Sequence, residues 1–412
     1  MKKFVVEGGR RLCGSVKISG AKNAALPILF SLLLTRGESY VENLPDIGDV
    51  RVALAILSSY GVKLRRTGES LIADTRDLTD AEPDESLVRA IRASSYLLGG
   101  ALARFGRVTI RSYGGCNFAD RPIDMHLSAA EALGALRDGD QLCAQTLRGG
   151  RIVFEKISVG ATVNALLLAA TAQGMTEIYG AAKEPHVGAL ISFLNSAGAD
   201  IREEEGSLTV HGTGGLLSGG RTAIIPDAIE AGTYLLAAPL TGGEITVAGA
   251  IPSHLGGFLP KLRESGVRLK IGENEITASG LPTSSVCVTA SPHPGFPTDL
   301  QPQFSVLLSQ VGGRIRDSVF PERFGYLSAL SAFGVRSDLQ KQNGSAVIYP
   351  SELKNSIVYS PDLRGGAACL LAALAAEGES EIRAADNILR GYLGMQEKLP
   401  ALGACVALRE ET

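Results

Sequence analysis

Apolar residues in this chain gather in runs that end at glycine, and the runs recur. "AALPILFSLLLTRG", "ASSYLLGGALARFG", "VNALLLAATAQG", "GTYLLAAPLTG", "QFSVLLSQVG" and "AACLLAALAAEG" close at Gly37, Gly106, Gly174, Gly242, Gly312 and Gly378, at intervals of 66 to 70 residues. Each run predicts a buried helix with a glycine C-cap, since it is apolar nearly all round. A second set, including "VALAILSSYG", "LISFLNSAG" and "YLSALSAFG", closes at Gly61, Gly134, Gly198, Gly266, Gly334 and Gly403, at intervals of 64 to 73 residues. Short alternating runs such as "RVTIRS" and "EITVAG" follow the first set. Pairs such as "ADIREEEGSLTVHG" follow the second and predict hairpins. One unit therefore reads strand, helix, strand, helix, hairpin, and six units of about 68 residues fill the chain.

The pattern predicts an α/β (α+β) fold. Two domains of three units each have their helices buried and their sheets outside, an inside-out α/β barrel. The glycine-rich "HGTGGLLSGG" near the middle marks a junction. A solenoid with an open binding surface is the alternative. A chain of 412 residues, 45% hydrophobic, can fill two cores.

Charge sharpens the picture at one kind of position. The net charge of −3, from 40 basic and 43 acidic residues, gives no reason to expect nucleic acid as a partner. No apolar run is long enough to span a bilayer, and the N-terminus lacks the pattern of a secretory leader, so a cytoplasmic protein without a membrane partner is expected. Six scattered cysteines show neither a disulfide framework nor zinc spacing, and no metal is expected. Polar residues instead cluster ahead of the helices. "SGAKN" carries Lys22 and Asn23, "RAIRAS" Arg92, "EKISVGAT" Lys156 and Ser158, "PDAIEAGT" Asp227 and Glu230, "FPTDLQ" Asp299 and "SPDLRGG" Asp362 and Arg364. The second set has Arg121 in "FADRPID", Glu184 in "AKEPHVG", Arg323 in "FPERFG" and Arg390 in "ILRGY". Helix starts carry unbonded N–H groups and partial positive charge, so these cations point to a multiply anionic ligand. Any one of the arginines could equally serve a cap or a surface ion pair.

Together "SGAKNAALPIL", "GGCNFADRPIDMHL", "SVGAT", "PDAIEAGTYL", "PGFPTDLQPQF", "ERF", "DLR" and "RGY" resemble, in order and spacing, the motifs of the enolpyruvyl transferases, in the branch that uses UDP-N-acetylglucosamine. The resemblance covers essentially the whole chain. It implies two domains, 22–225 and 1–21 joined with 226–412, with the active site in the cleft between them. It also implies two small-molecule substrates, phosphoenolpyruvate and UDP-N-acetylglucosamine, no cofactor, and a monomer. The activity implied is transfer of the enolpyruvyl group to the sugar 3-hydroxyl with release of phosphate, the first committed step of peptidoglycan synthesis.

The resemblance also implies roles. Cys116 stands where the family places a thiol that protonates the methylene carbon of phosphoenolpyruvate. A thiol with an ordinary pKa near 8.5 is largely protonated at neutral pH and can donate. Asp299 takes the hydroxyl proton, and Asn23 bonds the hydroxyl or the tetrahedral intermediate. Lys22, Arg92, Arg121, Arg364 and Arg390 hold phosphoenolpyruvate, with Arg323 supporting the cleft. The UDP-sugar falls to Asn23, Arg92, Arg121, Pro122, Asp124, His126, Lys156, Ser158, Val159, Gly160, Asp299 and Val319.

The chain departs from the family pattern in four places. Ala228 replaces an arginine, Ser112-Tyr113 replaces Leu-Pro, Asp120 replaces a small residue or proline, and the segment from His126 to Ser158 is shorter. Two other readings stay open here: another acceptor such as shikimate 3-phosphate, and a non-catalytic binder of UDP-sugar.

Overall fold

The computed structural model describes residues 1–114 and 121–411, and Cys116 and Asp120 therefore lie outside the described residues. The chain folds into two compact units. A terminal unit combines Met1–Ser19 with Pro226–Thr412, and an inserted unit combines Gly20–Gly115 with Arg121–Ile225.

The apolar runs form the expected helices inside each unit. In the terminal unit Ala228–Leu240, Gln301–Val311 and Leu363–Ala375 pack on one another, and Leu363 through Leu374 are all buried. In the inserted unit Leu97–Phe105 packs on Val159–Thr171, which is buried from Ala161 to Thr171. Each leucine so buried contributes about 2 kcal/mol over an exposed one. Strands such as Glu244–Ala248 and Glu275–Ser279 bury alternate residues, so their sheets lie outside the helices with one face turned outward.

The sheets are six separate ones, five of four strands and one of three, and none closes into a barrel among the described residues. Strands pack on the helix that precedes them, as Glu244–Ala248 does on Ala228–Leu240 and Gly313–Asp317 on Gln301–Val311, so the inside-out arrangement arises without ring closure. The fifth unit shows the pattern in full: Val286–Ala290 pairs in parallel with Gly313–Asp317, beside the hairpin Arg336–Gln340 and Ser345–Tyr349. Two strands change places. Cys13–Lys17 leads into helix Lys22–Ser31, yet it pairs in parallel with Glu244–Ala248 of the terminal unit. Arg221–Ala223 leads into helix Ala228–Leu240, yet it pairs in parallel with Glu38–Glu42 of the inserted unit. The sixth sheet replaces its hairpin with strands from the two chain ends, Lys2–Gly8 and Cys405–Glu410. The second repeat shows no parallel edge strand among the described residues. Along Arg107–Thr109 that place is taken by side chains, with Arg107 2.6 Å from Asp80, and Thr109 and Arg111 both on Glu82.

The glycines divide more finely than the pattern predicts. All six of the second set follow their helix cap directly, at φ from 86° to 105°. In the first set only Gly106 and Gly312 are caps, and Gly37, Gly174, Gly242 and Gly378 lie beyond. In those units one or two further residues, such as Ala172 and Gln173 or Ala376 and Glu377, follow the last helical turn before the glycine, which falls at or near the start of the next strand. No helix among the described residues is long and apolar enough to cross a membrane.

Candidate functional site

In the inserted unit the polar groups stand at helix starts. Lys22 opens helix Lys22–Ser31, and its Nζ donates to Asp49 Oδ2 at 3.1 Å. Asp49 is buried in the first turn of helix Gly48–Ser59. A cation at a helix N-terminus opposes the helix dipole, by about 0.3–1 kcal/mol. Asp49 offsets that opposition in part, and an anionic ligand against Lys22 would reverse it. Asn23 follows Lys22, half-buried.

Arg92 begins the turn Arg92–Tyr96 and spends its guanidinium on the main chain, donating to the carbonyl of Tyr113 at 3.5 Å and to that of Arg121. It braces described residues on both sides of the stretch that holds Cys116. Burial lowers its pKa, opposed by Tyr96 and Tyr113. Arg121 is half-buried and Pro122 exposed; Asp124, exposed, opens helix Asp124–Ala132, and His126 lies buried in its first turn.

Asn164 fixes His126. Its Oδ1 accepts from the Gly99 N–H at 2.6 Å, which identifies Nδ2 as the donor, and Nδ2 reaches Ser95 O at 3.1 Å and His126 Nδ1 at 2.7 Å. Nδ1 is then an acceptor and the ring proton sits on Nε2. Burial, then the charge of Arg92, pushes the His126 pKa down to about 4 against a smaller pull from Asp124, so the ring is neutral at neutral pH. Ser158 caps helix Val159–Thr171, its Oγ accepting from Ala161 N–H at 3.3 Å. Val159 and Gly160 form that helix's first turn, and Lys156 is exposed ahead of it. Here the imidazole lies against the Gly160 Cα.

In the terminal unit two buried guanidiniums close on one carboxylate. Arg323 Nη1 donates to Asp299 Oδ1 at 2.8 Å, while Arg364 donates to Oδ2 through Nε at 3.1 Å and Nη2 at 2.8 Å. Arg323 and Arg364 are 3% and 2% exposed, and Asp299 retains 25% of its side-chain surface. Burial disfavours the Arg364 charge, but the attraction of Asp299, with Tyr392 and Asp227, outweighs it and raises its pKa. Asp362 holds the start of that helix by accepting from Arg364 N–H at 2.8 Å and Gly365 N–H at 2.9 Å. Arg390 caps the short helix Asp386–Leu389. Val319 is half-buried, its N–H donated to Asp317 Oδ1 at 2.9 Å.

Each unit thus gathers its own share of the expected residues. Lys22, Asn23, Arg92, Arg121, His126 and Ser158 belong to the inserted unit; Asp299, Arg323, Arg364, Arg390 and Val319 belong to the terminal one. The motif reading missed several supporting residues: Asp49, Asn164, Asp317, and Lys398, which with the buried Glu230 grips Ser19. Asp49 carried a signal as an acid in a helix's first turn, and Asn164 as the single amide of the apolar helix Val159–Thr171.

Comparison with known proteins adds the family. The model of the EPSP synthase (3-phosphoshikimate 1-carboxyvinyltransferase) family matches residues 6–399. The chain is similar to UDP-N-acetylglucosamine 1-carboxyvinyltransferase 3 of Caldanaerobacter subterraneus subsp. tengcongensis, at 41% identity over all of both chains. It is similar also to UDP-N-acetylglucosamine 1-carboxyvinyltransferase of Desulfosudis oleivorans, at 41% identity over 98% of this chain and 99% of that one. Among solved structures, the enolpyruvyl transferase NikO from Streptomyces tendae matches with a TM-score of 0.88 and 25% identity, over 100% of this chain and 99% of that chain. EPSP synthase from Acinetobacter baumannii shares the fold, with a TM-score of 0.74 at 15% identity over all of both chains.

Proposed function

The chain belongs to the EPSP synthase family, and from that premise we propose that it transfers the enolpyruvyl group of phosphoenolpyruvate to the 3-hydroxyl of UDP-N-acetylglucosamine, releasing phosphate. This places it at the first committed step of peptidoglycan synthesis. The observation that carries the choice of acceptor is identity of 41% over the full length with UDP-N-acetylglucosamine 1-carboxyvinyltransferases, against 15% with an EPSP synthase of the same fold.

The reaction adds the sugar oxygen to C2 of phosphoenolpyruvate and a proton to its C3. Loss of a C3 proton and of phosphate from the tetrahedral intermediate then leaves the enol ether. Asp299 takes the hydroxyl proton. Two guanidiniums fix the plane and direction of its carboxylate, so positioning supplies what an ordinary carboxylate lacks in basicity. Cys116 supplies the C3 proton. Lys22, Arg121 and Arg390 take the phosphate and carboxylate of phosphoenolpyruvate, where planar guanidiniums match both groups. Arg364 and Arg323 act through Asp299, and Arg92 through the main chain at Tyr113 and Arg121. Asn23 bonds the attacking hydroxyl, while His126, Lys156, Ser158, Val159, Gly160, Pro122, Asp124 and Val319 meet the UDP-sugar. The enzyme works as a cytoplasmic monomer.

Phosphate release tests the proposal. UDP-N-acetylglucosamine should support turnover with phosphoenolpyruvate and shikimate 3-phosphate should not. Turnover with shikimate 3-phosphate alone would move the chain to the other acceptor, and turnover with neither would make it a binder.

A further inference from the structure

Behind Asp299 lies a chain of hydrogen bonds that the reaction as described does not use. Asp317 is the last residue of strand Gly313–Asp317 and is 1% exposed. Its Oδ1 accepts from Val319 N–H at 2.9 Å and from Phe320 N–H at 2.8 Å, holding the turn that follows the strand. Its Oδ2 accepts the Thr298 hydroxyl proton at 2.5 Å. That hydroxyl in turn accepts from Arg323 Nη1 at 3.1 Å, the same nitrogen that donates to Asp299 Oδ1 at 2.8 Å.

We propose that Asp317 and Thr298 are positioning residues for the transfer, a buried relay that aims Arg323, and through it Asp299, while fixing the backbone at Val319. The inference rests on the reading above that Asp299 serves the acceptor hydroxyl and Val319 the acceptor itself. One carboxylate then ties the backbone that meets the acceptor to the group that deprotonates it.

The chemistry of each link makes the order directional. A threonine hydroxyl has one proton and two lone pairs. With its proton committed to Asp317, the oxygen can only accept toward Arg323, and the guanidinium is drawn to one place. Burial raises the Asp317 pKa, countered by the bonds from Phe320, Thr298 and Val319 and by the charge of Arg323. An amide at 317 would still accept from the two backbone N–H groups through its oxygen. It would present donors to Thr298, however, and the hydroxyl would have to turn its proton toward the Arg323 and Asp299 side. A bulk-only role for these residues would tolerate that change; an aiming role would not.

Three variants test the relay: Thr298→Val, which keeps the shape and removes the hydroxyl, Thr298→Ser, which restores it, and Asp317→Asn. Thr298→Val and Asp317→Asn should each lower kcat for phosphate release on the order of 10- to 100-fold, with the KM for phosphoenolpyruvate within about twofold, as misalignment of a reacting group does. Thr298→Ser should keep most of the wild-type kcat. The double variant Thr298→Val with Asp317→Asn should be no slower than the worse single one, because one relay is broken once. Unchanged kcat in Thr298→Val, no recovery in Thr298→Ser, or effects that multiply would overturn the relay. Asp317→Asn is the variant at risk of misfolding, and the Thr298 pair decides without it. A readout free of turnover separates this inference from the reaction. In the ligand-free protein the side-chain N–H signals of Arg323 should be protected from solvent exchange in wild type and Thr298→Ser, and lose that protection in Thr298→Val. Should the wild-type protein release no phosphate with any acceptor, the reaction falls and this measurement alone decides the relay.

Discussion

Asn164 Nδ2 donates to His126 Nδ1 across 2.7 Å inside the inserted unit, and the ring so held is the neutral tautomer. The His126 pKa of about 4 lies below the ordinary histidine value of 6.5, chiefly because burial disfavours the charged form. A folded-state value below the unfolded one means that the unfolded chain binds more protons between them. The stability this ring contributes is therefore complete above pH 6.5 and is lost as the pH falls toward 4. Denaturant unfolding of wild type and His126→Gln should give curves that converge as the pH drops from 7 to 4, by on the order of 3 kcal/mol. Curves that stay parallel would mean that the ring is not buried neutral.

Gly160 leaves room for that ring. A Cβ there would stand 2.8 Å from His126 Cε1 and 3.0 Å from Nε2, and neither the helix nor the bonded imidazole can shift freely. Gly160→Ala should destabilise the fold by about 1–3 kcal/mol, the range of overpacking in a filled site. It should weaken UDP-N-acetylglucosamine binding at the same time, readable by calorimetry beside a melting curve. Adding His126→Ala should recover stability, since the clash then has no second party.

Removing Asp299 should damage more than turnover. Arg323 and Arg364 would then face each other, 3% and 2% exposed, with no carboxylate between them. Asp299→Ala should lose about 3–5 kcal/mol of stability, as broken buried ion pairs do. Asp299→Asn, which keeps an oxygen for one guanidinium, should lose less, and both should lose phosphate release. A melting temperature unchanged in Asp299→Ala would contradict the clamp.

Arg121→Ala and Arg390→Ala should separate binding from folding in the opposite sense. Each head serves an anion under the proposed function, so kcat/KM for phosphoenolpyruvate should fall by roughly 10- to 100-fold, the worth of one charge-assisted contact. Both variants should unfold at the wild-type temperature. Normal use of phosphoenolpyruvate by either would remove that arginine from the site.

Cys116 is the sharpest test of the acid. Fosfomycin carries an anionic phosphonate and an epoxide that a thiolate opens, and intact-mass measurement should find one adduct on Cys116, formed faster with UDP-N-acetylglucosamine present. Cys116→Asp should keep turnover, best at lower pH where its carboxyl is protonated, and resist the adduct. Cys116→Ala should bind the UDP-sugar without turning over. Wild-type rates in Cys116→Ala, or an adduct at another cysteine, would assign the acid elsewhere.

The six-unit plan was legible because a repeat writes the same physical requirement many times. Gly61, Gly134, Gly198, Gly266, Gly334 and Gly403 all take positive φ just beyond a cap, and a shared requirement of that kind leaves a period in the sequence. The exchanged strands left no such trace. Cys13–Lys17 buries only Val16, and its pairing with Glu244–Ala248 is set by where the chain crosses, not by its residues. The site divides the same way. Lys22, Asp299 and Arg364 stood out as charges at the starts of apolar helices. Their partners did not: Asp49 reads equally as a first-turn acid, and Asp317 as a strand end, until folding brings each to its neighbour.

The exchange of edge strands bears on how the chain can be cut. Where it passes into the inserted unit and where it leaves, the two segments run side by side, with Ala21 N–H on Ile225 O at 2.7 Å and Asp227 N–H on Ser19 O at 2.9 Å. Arg221–Ala223 stays with residues 20–225 and Cys13–Lys17 with the remainder, so each piece keeps the edge strand of its own sheet. The inserted stretch is therefore a removable cassette with adjoining ends. A gene that omits it needs only a short splice from Ser19 to Pro226, and a chain restarted at the second crossing would carry both sets of three repeats in sequence order.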